Sequence, residues 1–252
     1  MEPKKIDFLD IDKEFEASII ESIEDMHFTV SIRIAESRAD FLKEKIDYLK
    51  SYKYQAINRG SEHHANLLLY MQCVTQAVHS GFTAFKFIRQ NENLKAWGSV
   101  IDAYEYLDVA IRAIKKVNGN SSKKALSGIE VIREIIVQFE KGVFPSHKLY
   151  NSPGLVETIG ECSICNQNFL ECDHVEGEIY SGLYCIRTNR KPLDFEHFAV
   201  VENPRDRRCI FTTRHNAAGE SVDIFSREPT KEPKEKNVFE GVMFYMGGLD
   251  VN

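Results

Sequence analysis

Between Cys162 and Cys185 the chain reads C-S-I-C-N-Q-N-F-L-E-C-D-H-V-E-G-E-I-Y-S-G-L-Y-C, which places four of its six cysteines and one histidine within twenty-four residues. Thiolate sulfur and imidazole nitrogen are the donors that Zn²⁺ prefers, and a C-x2-C pair makes a tight knuckle whose two sulfurs point into one tetrahedron. Tetrahedral metal binding is therefore the chemistry to expect, with one structural zinc per chain. Five candidates, Cys162, Cys165, Cys172, His174 and Cys185, stand for a site that takes four. Cys162 and Cys165 form the knuckle. His174 and Cys185 are the first choice for the opposite side, because Gly177 and Gly182 allow the intervening hairpin to fold back, and Cys172 is then the reserve. In an extended segment Cys172 and His174 point to one face, so Cys162, Cys165, Cys172 and His174 form the rival set.

Other residues invite other chemistries. Asp173-His174, Asn189 fifteen residues on and His197 eight further have the spacing of an HNH-type metal-dependent nuclease, in which the His activates water and the later residues help place a divalent cation. Pro192 and the strand-like His197-Phe198-Ala199-Val200-Val201 stand where such a site needs a helix, and His174 is already wanted by the zinc. Arg187, Arg190, Lys191, Arg205, Arg207, Arg208 and Arg214 offer a patch for phosphates, so sequence-independent nucleic-acid binding is a further alternative. Arg59, Glu62, His63 and His64 resemble the Arg-x4-6-His motif of helical ribonucleases of the HEPN type; with Gly60 where a polar residue is usual, they read as a solvated helix start. His79, His147 and His215 read as surface or packing residues. There is no P-loop, dinucleotide fingerprint or nucleophile elbow, and no small-molecule substrate is evident.

The pattern C-x2-C-x6-C-x-H-x2-G-x2-Y-x-G-x2-C, completed by His197 to Pro204 and by Asp206-x-Arg208-Cys209, resembles a small zinc module of uncharacterised bacterial proteins and some phage-encoded ones. The resemblance covers Cys162 to Cys209. It implies a compact zinc-stabilised β-rich fold rather than an activity, and its company suggests an accessory role in prokaryotic antiviral defence.

The elements that must position this cluster divide the chain. From about residue 10 to 145 apolar residues recur every three or four positions: Phe15, Ile19, Ile23, Met26, Val30 and Ile34 begin one unusually long helix, or two joined end to end. Gly60-Ser61 breaks it. Three more helices follow, carrying Leu67 to Phe85, Leu94 to Ile114 and Leu126 to Phe139, with stops at Asn118-Gly119 and Gly142. Cys73 falls inside the second of these as a buried small hydrophobe. The expected class is α+β: an antiparallel helical bundle over 1–145, a connector over 146–160, a zinc-binding β-rich module over 161–225, a flexible linker over 226–237 and an apolar docking tail over 238–252.

With 43% hydrophobic and 28% charged residues this is an ordinary globular composition. No run of eighteen apolar residues exists and no signal-peptide pattern opens the chain, so a cytoplasmic protein without membrane contact is expected, where clustered cysteines read as metal ligands rather than disulfides. The net charge of −6 argues against a wholly basic nucleic-acid binder, yet residues 187–214 hold seven Lys/Arg against four Asp/Glu, and a polyanion would meet that stretch first. A non-enzymatic interaction subunit is the leading expectation, contacting a protein partner or a second copy through the apolar surplus of the first helix.

Overall fold

The computed structural model describes residues 8–28, 31–118, 123–146, 148–216, 218–230, 240–243, 245 and 247–252. It is an α+β chain: five helices, α1 (Phe8–Phe28), α2 (Ile32–Asn58), α3 (Glu62–Arg89), α4 (Asn93–Asn118) and α5 (Lys123–Val143), precede eight short strands. The strands are β1 (Tyr150–Glu157), β2 (Glu161–Cys162), β3 (Ile179–Tyr180), β4 (Leu183–Tyr184), β5 (Arg187–Thr188), β6 (Pro192–Val201), β7 (Thr213–His215) and β8 (Ser221–Asp223). They pair antiparallel as β1–β6, β2–β5, β3–β4 and β7–β8.

The long first helix of the periodicity is two helices folded back on each other. Ser31 is extended, with φ −101° and ψ 129°, and Lys45 meets Glu14 while Arg38 reaches both Glu21 and Asp25, pairings that only an antiparallel hairpin allows. The apolar series runs through the break because both helices bury the same kind of stripe. Met26 then packs into the notch left by Gly81 on α3, where a Cβ would lie 2.7 Å from its Cε.

α3 is the central helix. Apolar residues all round it are buried, from Leu68, Leu69 and Met71 through Val78 and Phe82, which is what a helix surrounded by others requires. Full burial of each such Leu, Val or Phe side chain is worth roughly 1.5–3 kcal/mol. Cys73 lies among them, fully buried, its thiol pushed up to about 12 by burial. α5 contributes Ile129, Ile132 and Ile136 from one face.

The apolar core does not stop at the helices. Phe144, Tyr150, Ile179, Ile210, Ile224 and Val251 join the bundle core in one cluster. Trp97 on α4, fully buried, packs edge-on to Phe144 at 5.2 Å and donates its Nε1 hydrogen to the Arg207 carbonyl at 2.7 Å. The stretch 146–160, expected as a connector, carries β1, whose partner β6 lies some forty residues later; such pairing leaves no local trace in a segment containing Pro153 and Gly154. The expected linker over 226–237 and the start of the tail lie largely outside the described residues. From Glu240 the chain adds to the β half: Thr212 N–H donates to the Glu240 carbonyl at 2.6 Å and Val242 N–H to Ile210 at 2.9 Å. Its end enters the bundle, where the Val251 carbonyl accepts from the buried Lys53 ammonium and from Gln72, and Asp250 pairs with Lys50 at 2.7 Å.

Candidate metal centre

Cys162 closes β2, opposite Arg187 of β5, and the chain turns at once. Asn166 takes a left-handed conformation, φ 58°, and its N–H donates to the Cys162 carbonyl at 2.8 Å while Cys162 N–H donates to Gln167. The knuckle so formed aims the Ile164 N–H at the Cys162 sulfur, 3.4 Å away. Burial pushes the Cys162 thiol up, but backbone N–H groups of Cys165 and Ile164 and the thiols of Cys165 and Cys172 outweigh it and bring it down to about 7. A thiol so placed readily becomes the thiolate that a metal needs.

Beyond the knuckle the chain returns through Cys172 and His174. Donor atoms of Cys162, Cys165, Cys172 and His174 all lie within 4.8 Å of one another. His174 is held by an edge contact with Tyr180, ring centroids 4.6 Å apart, and Tyr180 is fixed in turn by the Val175 N–H, which donates to its hydroxyl at 3.0 Å. The Nδ1 of His174 is buried with no hydrogen-bond partner among the described residues. A buried ring nitrogen without a partner beside three thiols that form no disulfide is the environment a soft divalent cation completes. The Cys3His set could hold a metal ion and is compatible with zinc.

This is the second of the two quartets read from the sequence, not the first, in which Cys185 takes the place of Cys172. Cys185 sits behind the knuckle, fully buried, its sulfur 3.8 Å from that of Cys162. Burial, and then the neighbouring Cys162 and Cys172 thiols, push its own thiol up to about 12. The expected fold-back is there: β3 and β4 join through Ser181 and Gly182, both at positive φ, in the turn that two-residue hairpins favour.

The hairpin tip fastens the cluster to the bundle. Gly182 N–H donates to Oδ1 of Asn66, 2% exposed on α3, at 2.7 Å, and a Cβ at Gly182 would stand 2.8 Å from the Cβ of Ala65. Asn252 grips Tyr184, accepting its N–H at 2.8 Å and donating to its carbonyl at 2.9 Å. Neither Asn66 nor Asn252 was singled out in the sequence; a polar residue within the most apolar helix was the available signal for the first.

The basic stretch is largely a set of clamps. Arg187 pairs with Glu176 at 3.1 Å, Arg190 with Glu157 at 3.2 Å and Arg207 with Glu140 at 2.6 Å. Arg208, 6% exposed, meets Asp102 and Glu105 of α4 and Asp206 of its own loop. Burial works against the Arg208 charge, yet Glu105 and Asp102 more than compensate and raise its pKa. Arg207 also lies over the Trp97 ring, 5.0 Å from its centroid. Lining charge on this stretch is thus mostly neutralised internally.

The residues of the nuclease spacing are engaged separately. Asn189 donates to Glu161 at 2.6 Å, His197 stands opposite Gly154 in the β1–β6 ladder, and among the described residues no helix follows Val143. At the α2–α3 junction His64 bonds Ser61 at 2.7 Å and stacks on Phe8. His147 lies outside the described residues. No described helix is long and apolar enough to cross a membrane. Comparison of the chain with protein-family models, curated proteins and solved structures finds no match.

Proposed function

We propose that this chain is a non-enzymatic interaction subunit, stabilised by one structural zinc ion, that offers the β1–β6 ribbon to a protein partner. The ribbon carries the proposal. Every residue of β6 from Pro192 to Val200 is exposed, among them Leu193 (66%), Phe195 (43%), Phe198 (58%) and Val200 (56%). It pairs only with β1 among the described residues, which leaves its outer edge without a strand partner beside a row of apolar side chains. A two-stranded ribbon is marginal in water by itself, and an open apolar edge is the template on which another chain adds a strand.

The metal set supports a structural role, since four protein donors fill a tetrahedron and leave no position for substrate. The first helix is the lesser contact surface: Ile19 and Ile23 turn onto its own bundle, while Leu9 and Ile20 stay on the outside.

A photo-crosslinking residue at Phe198, combined with light scattering, tests this directly. Crosslinks from position 198 to one defined protein or to a second copy, abolished by Leu193→Glu with helix content and metal unchanged, are expected; a monodisperse monomer with no crosslink contradicts the proposal. With Mg²⁺ or Mn²⁺ supplied, plasmid and single-stranded DNA or RNA should stay intact. Cleavage lost in Asn189→Ala and His197→Ala, metal content unchanged, would make the chain a nuclease instead.

A further inference from the structure

Cys185 is the one sulfur of the cluster's neighbourhood that the mutual set of four leaves out, yet both of its backbone groups are bonded. Its N–H donates to Glu178 and its carbonyl accepts from Gly177, both at 2.8 Å. Ser163, inside the knuckle, ties the residues on either side of Cys185: its N–H donates to Ile186, its hydroxyl donates to Tyr184, and it accepts the Ile186 N–H, each at 3.0 Å. The Cys162 and Cys185 sulfurs, 3.8 Å apart, are thus flanked on both sides by backbone bonds. Two sulfurs each about 2.3 Å from a zinc ion at the tetrahedral angle lie about 3.8 Å apart. The pair already has the spacing of two thiolates on one ion.

Cys172 is built in the opposite way. It is partly exposed, and its sulfur has the Phe169 and His174 carbonyls as backbone neighbours, both at 3.9 Å.

We propose that Cys172 and Cys185 are alternative fourth donors to one metal ion, sharing Cys162, Cys165 and His174. Cys172 is the exposed donor and Cys185 the protected one. Loss of the Cys172 thiolate by oxidation or alkylation then leaves the metal held inside the module, and the docked hairpin intact. This rests on the metal reading of the cluster.

The test uses the full chain loaded with Co²⁺, whose visible spectrum counts thiolate donors, alongside zinc stoichiometry. Cys172→Ser and Cys185→Ser should each keep one ion per chain with the spectrum of three thiolates and one imidazole. The double variant should lose affinity by more than the roughly 100-fold that removal of a supporting residue costs. Loss of metal in Cys172→Ser alone, or in Cys185→Ser alone, overturns the exchange. Iodoacetamide on the zinc-loaded wild type avoids any folding defect: native mass spectrometry should find chains alkylated at Cys172 that still carry zinc, whereas zinc leaving in step with Cys172 alkylation refutes the proposal. A wild-type chain that binds no metal removes the metal reading itself, a different failure.

Discussion

Arg208 and Glu105 meet in a two-point pair, Nη1 to Oε1 at 2.8 Å and Nη2 to Oε2 at 2.9 Å, with the arginine side chain 8% exposed. The fork joins the loop after β6 to α4, so the β half and the bundle share a buried charge. Truncating the carboxylate side leaves a buried guanidinium without its main partner. Glu105→Ala should destabilise the chain by about 2–3 kcal/mol, at the lower end for a buried pair because the Glu105 side chain is itself 41% exposed and keeps water. Arg208→Lys should recover little, since an ammonium cannot reproduce the fork. Chemical denaturation of both variants measures this; a change within 0.5 kcal/mol, about the size of an ordinary surface substitution, would remove the clamp from the account.

Gly182→Ala adds a methyl group where Ala65 already stands, 2.8 Å from its Cβ and 2.9 Å from its carbonyl oxygen, in a residue with φ +81°. Left-handed strain and the clash act together, and the cost should reach about 2 kcal/mol or more. Hydrogen exchange should show residues 177–185 losing protection while α2 to α4 keep theirs. Unchanged protection at the hairpin would mean that the metal module does not depend on its seat against α3.

Such seats explain how much was legible in the sequence. The helical half could be read because its signals are local: the spacing from Leu67 to Phe85 and the stops at Gly60 and Asn118 lie within the elements they define. The cysteine cluster was legible for the same reason, since C-x2-C and C-x-H act at short range. The choice between Cys172 and Cys185 was not, because it depends on Ser163 tying the knuckle to the residues on either side of Cys185. The break before Ser31 was hidden by an apolar stripe common to both arms. The conversion of Arg207 and Arg208 from an apparent phosphate patch into clamps depends on Glu140, Asp102 and Glu105, all more than sixty residues away in sequence.

Lys53 gives a pH signature. Burial, chiefly, lowers its pKa to about 8 from the usual 10.5, with Cys73, Lys50 and Asp250 as lesser influences. The unfolded chain then binds more protons than the folded one between these values, so this residue makes stability rise with pH from about 8 to 10.5. Tyr70 and Cys73, both pushed up to about 12, act in the opposite sense as pH climbs through their ordinary values. The difference between wild type and Lys53→Met isolates the lysine: it should move in favour of wild type by about 2–3 kcal/mol over that window. A pH-independent difference would show that the ammonium is not buried in solution.

The centre itself is tested most directly by native mass spectrometry of the chain purified from zinc-supplemented cells, coupled to hydrogen exchange before and after chelation. The mass should be that of one chain plus one zinc ion. Chelation should return the metal-free mass and abolish protection between Glu161 and Thr188, while α3 and α4 stay protected, because binding free energy at a structural site is folding free energy. A metal-free chain with full protection over the same residues would contradict it.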